Sequence, residues 1–421
     1  MPVPFDSGRY LFIVTSIFVS LTIPVTGGAA EWSAEPSVRL RREYNDNLQL
    51  SIFPQESVTG SIITPALDLG VGTPTWKLGF GAEATQRRYS GQEGLDRDDS
   101  LLRFSSLYRT ERQTWQLSAS RRSDSVVTSE EVDSDTGTVS AVEDRDTDSV
   151  SPSWIWMFSQ TTQLQLAYQQ TDVTYGENSQ SVGLYDYRNQ ATAATLSKQI
   201  SELSQIFISG SYSEFHVPDT SFDSKTRNLQ AGITRSFSES TRGTLQAGLR
   251  RTESFTKGGT PTFTLFTDPN TGITYAIQTG VSPDTRTRQT GSVFSGNLET
   301  QFESTRLNMA LSRSLNPSGS GGQSELDTFK IDLNRQLAAR LRAYVTANAF
   351  KARTVEGNIS SNDRTYYGIG PGADWQWSRE WSVGMNYRYA HAKREFESEA
   401  AESHSVALTL TYRPLKMAIS R

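Results

Sequence analysis

The stretch Trp76-Lys77-Leu78-Gly79-Phe80-Gly81-Ala82-Glu83-Ala84-Thr85 alternates apolar with polar or small side chains. Successive side chains of an extended strand point to opposite faces, so the even-numbered apolar residues share one face. Lys77 and Glu83 share the other face. The stretch therefore predicts a β-strand with one apolar and one polar surface.

The connections between such segments alternate in length from about Trp32 to Pro414. Short polar turns, as at 72–74, alternate with long polar loops, as at 130–144 and 257–284. Short periplasmic turns and long external loops characterise outer-membrane barrels, whereas a soluble β-sandwich has shorter strands and more evenly sized connections. We therefore expect an all-β fold, a transmembrane antiparallel up-and-down β-barrel of about 18 strands, with about 16 as the alternative count.

The strand number has two consequences. An even number of strands places both termini on the periplasmic side of the outer membrane. A barrel of this size is too wide for side chains to fill, so it encloses an aqueous lumen. We expect the lumen to be the functional surface.

The first 30 residues predict a secretory signal peptide. Arg9 precedes an apolar run over 11–23, and small residues at 28–30 form the expected cleavage site. A membrane-anchor helix is the alternative, but the run is too short to span a bilayer comfortably. The predicted organisation is a signal peptide at 1–30, a barrel at 31–415 and a short C-terminal tail at 416–421.

The composition excludes several classes of protein. The chain has no cysteine, so it can form neither disulfides nor thiolate metal sites. A mean hydropathy of −0.50 is too low for helical membrane spans. The 41 basic and 46 acidic residues lack the basic excess of a nucleic-acid-binding protein.

Aromatic residues cluster beside the short turns, where a barrel needs an interfacial girdle on its periplasmic side. They are Trp115, Trp154, Trp156, Phe158, Phe237, Phe302, Trp375, Trp377 and Trp381. The alternative is that they form the core of a sandwich near its strand ends.

The polar face of the strands predicts the lining of the lumen. The charged residues assigned to it are Arg39, Arg41, Lys77, Glu83, Arg103, Arg122, Arg250, Glu299, Arg306, Lys330, Asp332, Asp374 and Arg388, with Glu43 beside them. Basic and acidic side chains interleave, so the pattern does not favour strongly anionic cargo. These charges either pair across strands and solvate a wide lumen, or form a conduit for hydrated cargo.

Catalytic and metal-binding patterns are weak. His216, His391 and His404 are the only histidines, and each lies near a strand end or loop. The acidic runs at 130–135 and 143–148 lack the central glycine and terminal glutamate of a calcium loop. The glycine-rich segment 319–322 is expected to be an external loop tip. The sequence predicts neither an enzyme, nor a metal site, nor a cofactor.

The segment Glu43-Tyr44-Asn45-Asp46-Asn47-Leu48 carries a family resemblance. Through Tyr44, Asp46 and Asn47 it resembles the Tyr-x-Asp-Asn signature of the outer-membrane β-barrel porin-2 type family, which is associated with exopolysaccharide gene clusters. The resemblance implies a porin-like protein that often serves polymer secretion. A purely structural role, in which Asp46 and Asn47 form an Asx-type turn after the first strand, is the other interpretation.

The resulting functional hypothesis is a polar outer-membrane channel that exports an exopolysaccharide. The alternatives are a general or solute-selective uptake porin, whose constriction loop would be 257–284, and a non-conducting structural or surface-interaction barrel. Expected partners are outer-membrane lipid, lipopolysaccharide, the outer-membrane assembly machinery and a separate periplasmic polysaccharide-export protein. The last strand, Ser405–Tyr412, resembles the signal recognised by that assembly machinery, although Pro414 and a tail follow it.

Overall fold

A computed structural model describes residues 30–53, 55–91, 94–126, 143–177, 179–258, 261–267, 274–356, 363–395 and 397–420. The predicted signal peptide, apart from Ala30, lies outside the described residues. So does most of the predicted loop at 130–144.

The described chain is built almost entirely of β-strands. They are β1 (Glu31–Asn45), β2 (Val58–Gly72), β3 (Trp76–Ser90), β4 (Arg97–Arg109), β5 (Gln113–Ser125), β6 (Asp144–Met157), β7 (Thr162–Tyr175), β8 (Tyr187–Ser201), β9 (Ser204–Val217), β10 (Phe222–Ser236), β11 (Thr241–Thr256), β12 (Pro261–Thr267), β13 (Thr274–Val281), β14 (Thr285–Gln301), β15 (Thr305–Ser318), β16 (Gly322–Ala338), β17 (Leu341–Glu356), β18 (Arg364–Gln376), β19 (Trp381–Arg394), β20 (Ala401–Tyr412) and β21 (Met417–Ser420). A 3₁₀ turn, Ser179–Val182, lies between β7 and β8. Among the described residues, no helix is long and apolar enough to cross a bilayer.

Eighteen of these strands form one closed barrel, which confirms the predicted fold and strand number. Each strand pairs antiparallel with its neighbour along the chain, and β11 pairs with β14. The barrel closes where β1 pairs with β20 over Val38–Asn45 and Ser405–Tyr412. Closure matters because it pairs the first strand of the sheet with the last, so the sheet has no open end strand.

The remaining strands lie outside this ring of eighteen. β12 and β13 form a separate two-stranded hairpin within the predicted constriction loop 257–284. β21 pairs with Glu31–Ala34 of β1, so the predicted tail after Pro414 includes a short strand.

The strand register fixes which residues share a face. Leu40 of β1 lies opposite Leu410 of β20, and Leu410 lies opposite Val383 of β19. Paired residues on neighbouring strands share a face, and this holds all the way around the ring. The barrel therefore has one consistent outer and one consistent inner surface.

The outer surface carries a belt of exposed apolar side chains. Leu229 and Leu245 are each 60 % exposed, and Leu249 is 67 % exposed. On the opposite side of the ring, Met385 and Leu408 are more than half exposed. A continuous belt of this kind is the surface that lipid chains cover in transmembrane barrels.

Aromatic side chains border the belt at the short-turn end. Trp115 and Trp154 stack with ring centroids 5.2 Å apart, and Trp154 and Trp156 follow at 5.7 Å. Phe158 continues the ladder at 4.4 Å from Trp156. The Trp115–Trp154 pair joins β5 to β6 and stabilises this end of the barrel, since cross-strand aromatic pairs are favourable.

Candidate functional site: the lumen and its mouth

The lumen is lined by the face opposite the apolar belt. The strand register sets these predicted residues on that face: Arg39, Arg41, Lys77, Glu83, Arg103, Arg122, Arg250, Glu299, Arg306, Lys330, Asp332, Asp374 and Arg388. Side-chain alternation along each strand predicts this position, because each of these residues belongs to a strand whose other face is apolar.

Many of the lumen charges interact with one another. Arg41 Nη2 lies 2.7 Å from Glu43 Oε2, and Arg103 Nη2 lies 3.5 Å from Asp68 Oδ1. Arg306 pairs with Glu299, and Arg342 pairs with Asp374. Arg388 donates to the hydroxyl of Tyr366 at 2.7 Å. Pairing between charges within the wall leaves a wet lumen of mixed sign rather than a ring of one sign.

The inner wall differs in character around the ring. Every inward side chain of the four consecutive strands β7, β8, β9 and β10 is uncharged. The hydroxyl and amide side chains on this neutral wall include Gln163, Gln165, Gln169, Thr171, Asn189, Thr195, Ser197, Gln199, Gln205, Ser209, Ser211, Ser213, Ser224, Thr226, Asn228, Gln230, Thr234 and Ser236, of which Ser197, Ser224, Thr226 and Thr234 are buried. The predicted charged residues all lie on the other strands.

This asymmetry was missed by the sequence analysis. The signal was present, because the lumen-facing positions of the strands in 162–236 carry no charge, whereas charged residues such as Asp172, Lys198 and Arg227 lie on the outward face. The predicted up-and-down order makes these four strands neighbours, so a comparison of lumen-facing charge from strand to strand would have placed all these groups on one side of the lumen.

The segment Asn45–Asn47 anchors the β1–β2 connection across the closure of the barrel. Asn47 is buried, and its Nδ2 donates to the carbonyl oxygens of Ser51 and Glu402, each at 2.8 Å. Its Oδ1 accepts from the Ser51 backbone at 3.0 Å. Asp46 Oδ1 accepts from the His404 backbone at 2.6 Å. These bonds give Asp46 and Asn47 a structural role in holding the connection, while Tyr44 is half exposed on the outer surface.

The anchored connection folds into the mouth of the barrel. Leu48 packs with Val58 and Leu95 in a buried cluster against Tyr89. The Tyr89 hydroxyl donates to Glu43 Oε1 at 3.0 Å. Tyr89 lies above the apolar belt, where burial and then the Glu43 carboxylate raise its pKa to about 12. The phenol therefore stays protonated and remains a donor to Glu43 at physiological pH.

A second inward contact lies elsewhere on the mouth. Gly319, in the turn between β15 and β16, accepts a hydrogen bond from the Tyr185 backbone at 2.8 Å. Tyr185 also packs against a buried apolar cluster that includes Phe215 and Phe222 on the inner wall. The prediction that 319–322 is an external loop tip is therefore wrong: this turn packs inward against the β7–β8 connection.

The three histidines face the outer surface. His216 Nδ1 lies 2.6 Å from Asp223, and His404 Nδ1 lies 2.7 Å from the Tyr387 hydroxyl. His391 packs edge-on against Tyr367. Each histidine interacts with a different neighbour.

Outward charges form ion pairs above the apolar belt, toward the end with the long loops. Examples are Arg121–Asp146 at 3.3 Å, Lys225–Glu214 at 3.2 Å and Arg288–Glu253 at 3.1 Å. The strands therefore extend past the belt into a charged zone. Exposed pairs of this kind contribute little to stability, but they define where the apolar surface ends.

Comparisons with known proteins gave matches in structure alone. No protein-family model matches the sequence, and the search of curated proteins gave no match. Among solved structures, Pseudomonas aeruginosa OccK5 matches with a TM-score of 0.43 and 11% identity, over 92% of this chain and 98% of that chain. Acinetobacter baumannii OccAB4 matches with a TM-score of 0.45 and 9% identity, over 94% and 100%.

A copper transporter, OprC, matches with a TM-score of 0.41 and 12% identity, over 86% of this chain. This chain spans 63% of the length of OprC. Each of these TM-scores lies below 0.5, so the barrel assignment stands on the strand pairing itself.

Proposed function

We propose that this protein is an outer-membrane channel for hydrated, polar cargo. The observation that carries the proposal is the closed barrel with an apolar belt outside and a polar lining inside. A polar lining in a ring of this size is suited to a water-filled passage. The chain's own groups would act by solvating the cargo, without any covalent step.

The neutral wall favours uncharged, polyhydroxylated cargo. Hydroxyl and amide groups both donate and accept hydrogen bonds, so they can replace water around a sugar. This supports the export of an exopolysaccharide, and the resemblance at Tyr44, Asp46 and Asn47 agrees with it. A separate periplasmic export protein would then deliver the polymer.

Uptake of small solutes is the second candidate. The inward turn at Gly319 and the folded connection at Leu48 narrow the mouth, and a narrowed mouth suits small solutes better than a continuous polymer. The charged side of the lumen, with pairs such as Arg103–Asp68, would then bias which solutes pass.

The orientation follows from the same proposal. We assign the short-turn end, where β1 begins and β21 ends, to the periplasm. The outward charges above the belt, such as Lys225 and Arg288, would face the lipopolysaccharide head groups. The signal peptide at 1–30 would direct export, and the assembly machinery would recognise the last strand.

Deletion of the gene combined with bilayer conductance of the purified protein tests these proposals. For export, we expect the deletion to remove a surface polymer and to retain it in the periplasm. Unchanged surface polymer with ordinary small-solute conductance would contradict export and support uptake. If the purified protein does not conduct and the deletion has no polymer phenotype, the channel itself is contradicted and a structural barrel is supported.

A further inference from the structure

The barrel wall is split between β14 and β15 at the end with the long loops. Lower down, β14 pairs with β15 over Phe294–Gln301 and Arg306–Arg313. Both strands continue beyond this point, but within the described chain their mutual pairing stops there. Above it, the backbone ladder of β14 continues only with β11, and the ladder of β15 continues only with β16.

The end of the β15–β16 hairpin turns into the lumen above this split. Odd-numbered residues of β16, such as Phe329, face outward lower down, and Glu325 shares their face by alternation. Nevertheless, Glu325 Oε2 lies 3.1 Å from Nη2 of Arg250, whose side chain points inward from β11. The outer face of the β16 end therefore lies on the inner face of β11. The two walls overlap.

A buried hydrogen bond holds the overlap nearer the tip. Ser224 of β10 donates to Gln323 Oε1 at 2.8 Å, and Ser254 of β11 donates to Ser224 at 3.3 Å. Gln289 of β14 donates to the Val355 carbonyl at 3.2 Å, which attaches β17 to the same inner wall. The overlap therefore involves the ends of β15, β16 and β17 together.

The ion pair is buried and reaches across an intervening strand. The side chains of Arg250 and Glu325 are 4% and 15% exposed. Gly291 of β14 lies directly opposite Arg250, and an added Cβ there would lie 2.7 Å from the guanidinium. Because Gly291 has no side chain, the guanidinium of Arg250 can extend across β14 to reach Glu325. Glu325 Oε1 also lies 3.5 Å from Arg353 and 3.7 Å from Arg313, on strands that move with it. Opening therefore takes the carboxylate away from the nearly buried Arg250 guanidinium, and this cost holds the overlap closed.

The segments 291–293 of β14 and 314–316 of β15 suit a second arrangement of the same strands. Continuing the β14–β15 register would set Ser314 opposite Val293 and Asn316 opposite Gly291. Pro317, which has no backbone N–H, lies farther along this β15 segment, and proline is tolerated at strand edges. Pairing could thus extend over the first residues above the split when the hairpin end swings outward.

We propose that the overlap is a latched closed state of the mouth, and that the Arg250–Glu325 pair and the Ser224–Gln323 bond form the latch. Opening moves the β15–β17 ends outward, toward residues 291–293 of β14, and widens the lumen. The inference rests on the proposed channel function. It assigns the constriction to the barrel wall rather than to the predicted loop at 257–284.

Locking the latch tests its effect on conduction. The chain has no cysteine, so the double variant Ser224→Cys/Gln323→Cys can be joined by a short, reducible thiol cross-linker. We expect the cross-linked channel to conduct at least about fivefold less than the same protein after reduction. The control, Thr226→Cys/Thr252→Cys, joins the neighbouring strands β10 and β11 and should conduct equally in both states. Equal conductance of the locked and reduced test variant would overturn the latch.

A labelling measurement reports on the latch even if the protein does not conduct. Ser224 is 1% exposed, so Ser224→Cys should react slowly with a membrane-impermeant maleimide in an otherwise intact barrel. Adding Glu325→Gln should raise that rate about tenfold, while Thr64→Cys, buried on β2, should be unaffected by the same change. An unchanged rate at Ser224→Cys would overturn the latch. If Ser224→Cys is labelled slowly, Glu325→Gln accelerates the labelling, and the protein conducts in no state, the latch stands and only the channel function is contradicted.

Discussion

Asn47 joins the β1–β2 connection to the last strand of the barrel through a single side-chain amide. It contacts Ser51 in the β1–β2 connection and Glu402 in β20, which lies across the closure of the barrel. Removing one partner of buried hydrogen bonds leaves the other groups unsatisfied, and this costs more than the bonds themselves contribute.

Asn47→Ala should therefore destabilise the barrel by about 2 kcal/mol. The midpoint of urea unfolding in lipid vesicles, followed by tryptophan fluorescence, measures the change. Asn334→Ala is the control, since Asn334 is half buried on the lumen face near a short turn. Equal losses for both variants would contradict the anchoring role of Asn47.

β11 shows at the scale of one strand how alternation separates two environments. Leu245 faces outward and is 60% exposed, whereas the adjacent Gln246 faces the lumen and donates to Ser295 at 2.8 Å. Leu245 lies within the apolar belt, because Leu249 follows it and the outward residue after that is Arg251.

Leu245→Arg should cost about 2–4 kcal/mol of folding free energy in lipid vesicles, because it places a charge in the hydrocarbon layer. Gln246→Arg, on the aqueous side of the same strand, should cost roughly 1 kcal/mol or less. Unfolding titrations in vesicles measure both. A harmless Leu245→Arg would contradict the membrane assignment of this surface.

The neutral wall exists only in the whole molecule, where four strands stand side by side. Gln165 on β7 and Gln230 on β10 both belong to it. Exchanging each for glutamate changes charge with almost no change in shape, so it isolates the electrostatic contribution.

Gln165→Glu/Gln230→Glu should raise the cation-over-anion permeability ratio about threefold in about 0.1 M salt. Each added charge, about 10 Å away, stabilises a cation and destabilises an anion by roughly 0.15 kcal/mol, because salt screens the roughly 0.4 kcal/mol expected in pure water. Passage of neutral sugars should fall. Reversal potentials in a salt gradient and liposome-swelling rates measure the two effects. An unchanged ratio would show that permeating ions do not approach this wall.

Much of the architecture could be predicted because it depends on local patterns. The alternation at 76–85 sets the strand faces, and turn length sets the hairpin order. Lumen residues such as Arg103 and Asp374 follow from the same alternation. The inward position of 319–322 could not be predicted, because a serine- and glycine-rich turn has the same local sequence whether it faces solvent or packs on Tyr185.

The sequence by itself determined the class of fold, the strand number and the polarity of each strand face, because side-chain alternation is a property of the extended backbone. Tertiary structure alone decided how the strand ends above the belt fold over the inner wall. It also decided that Arg250 meets Glu325 across β14. Those contacts join residues far apart in sequence, and their geometry depends on how the sheet curves and closes.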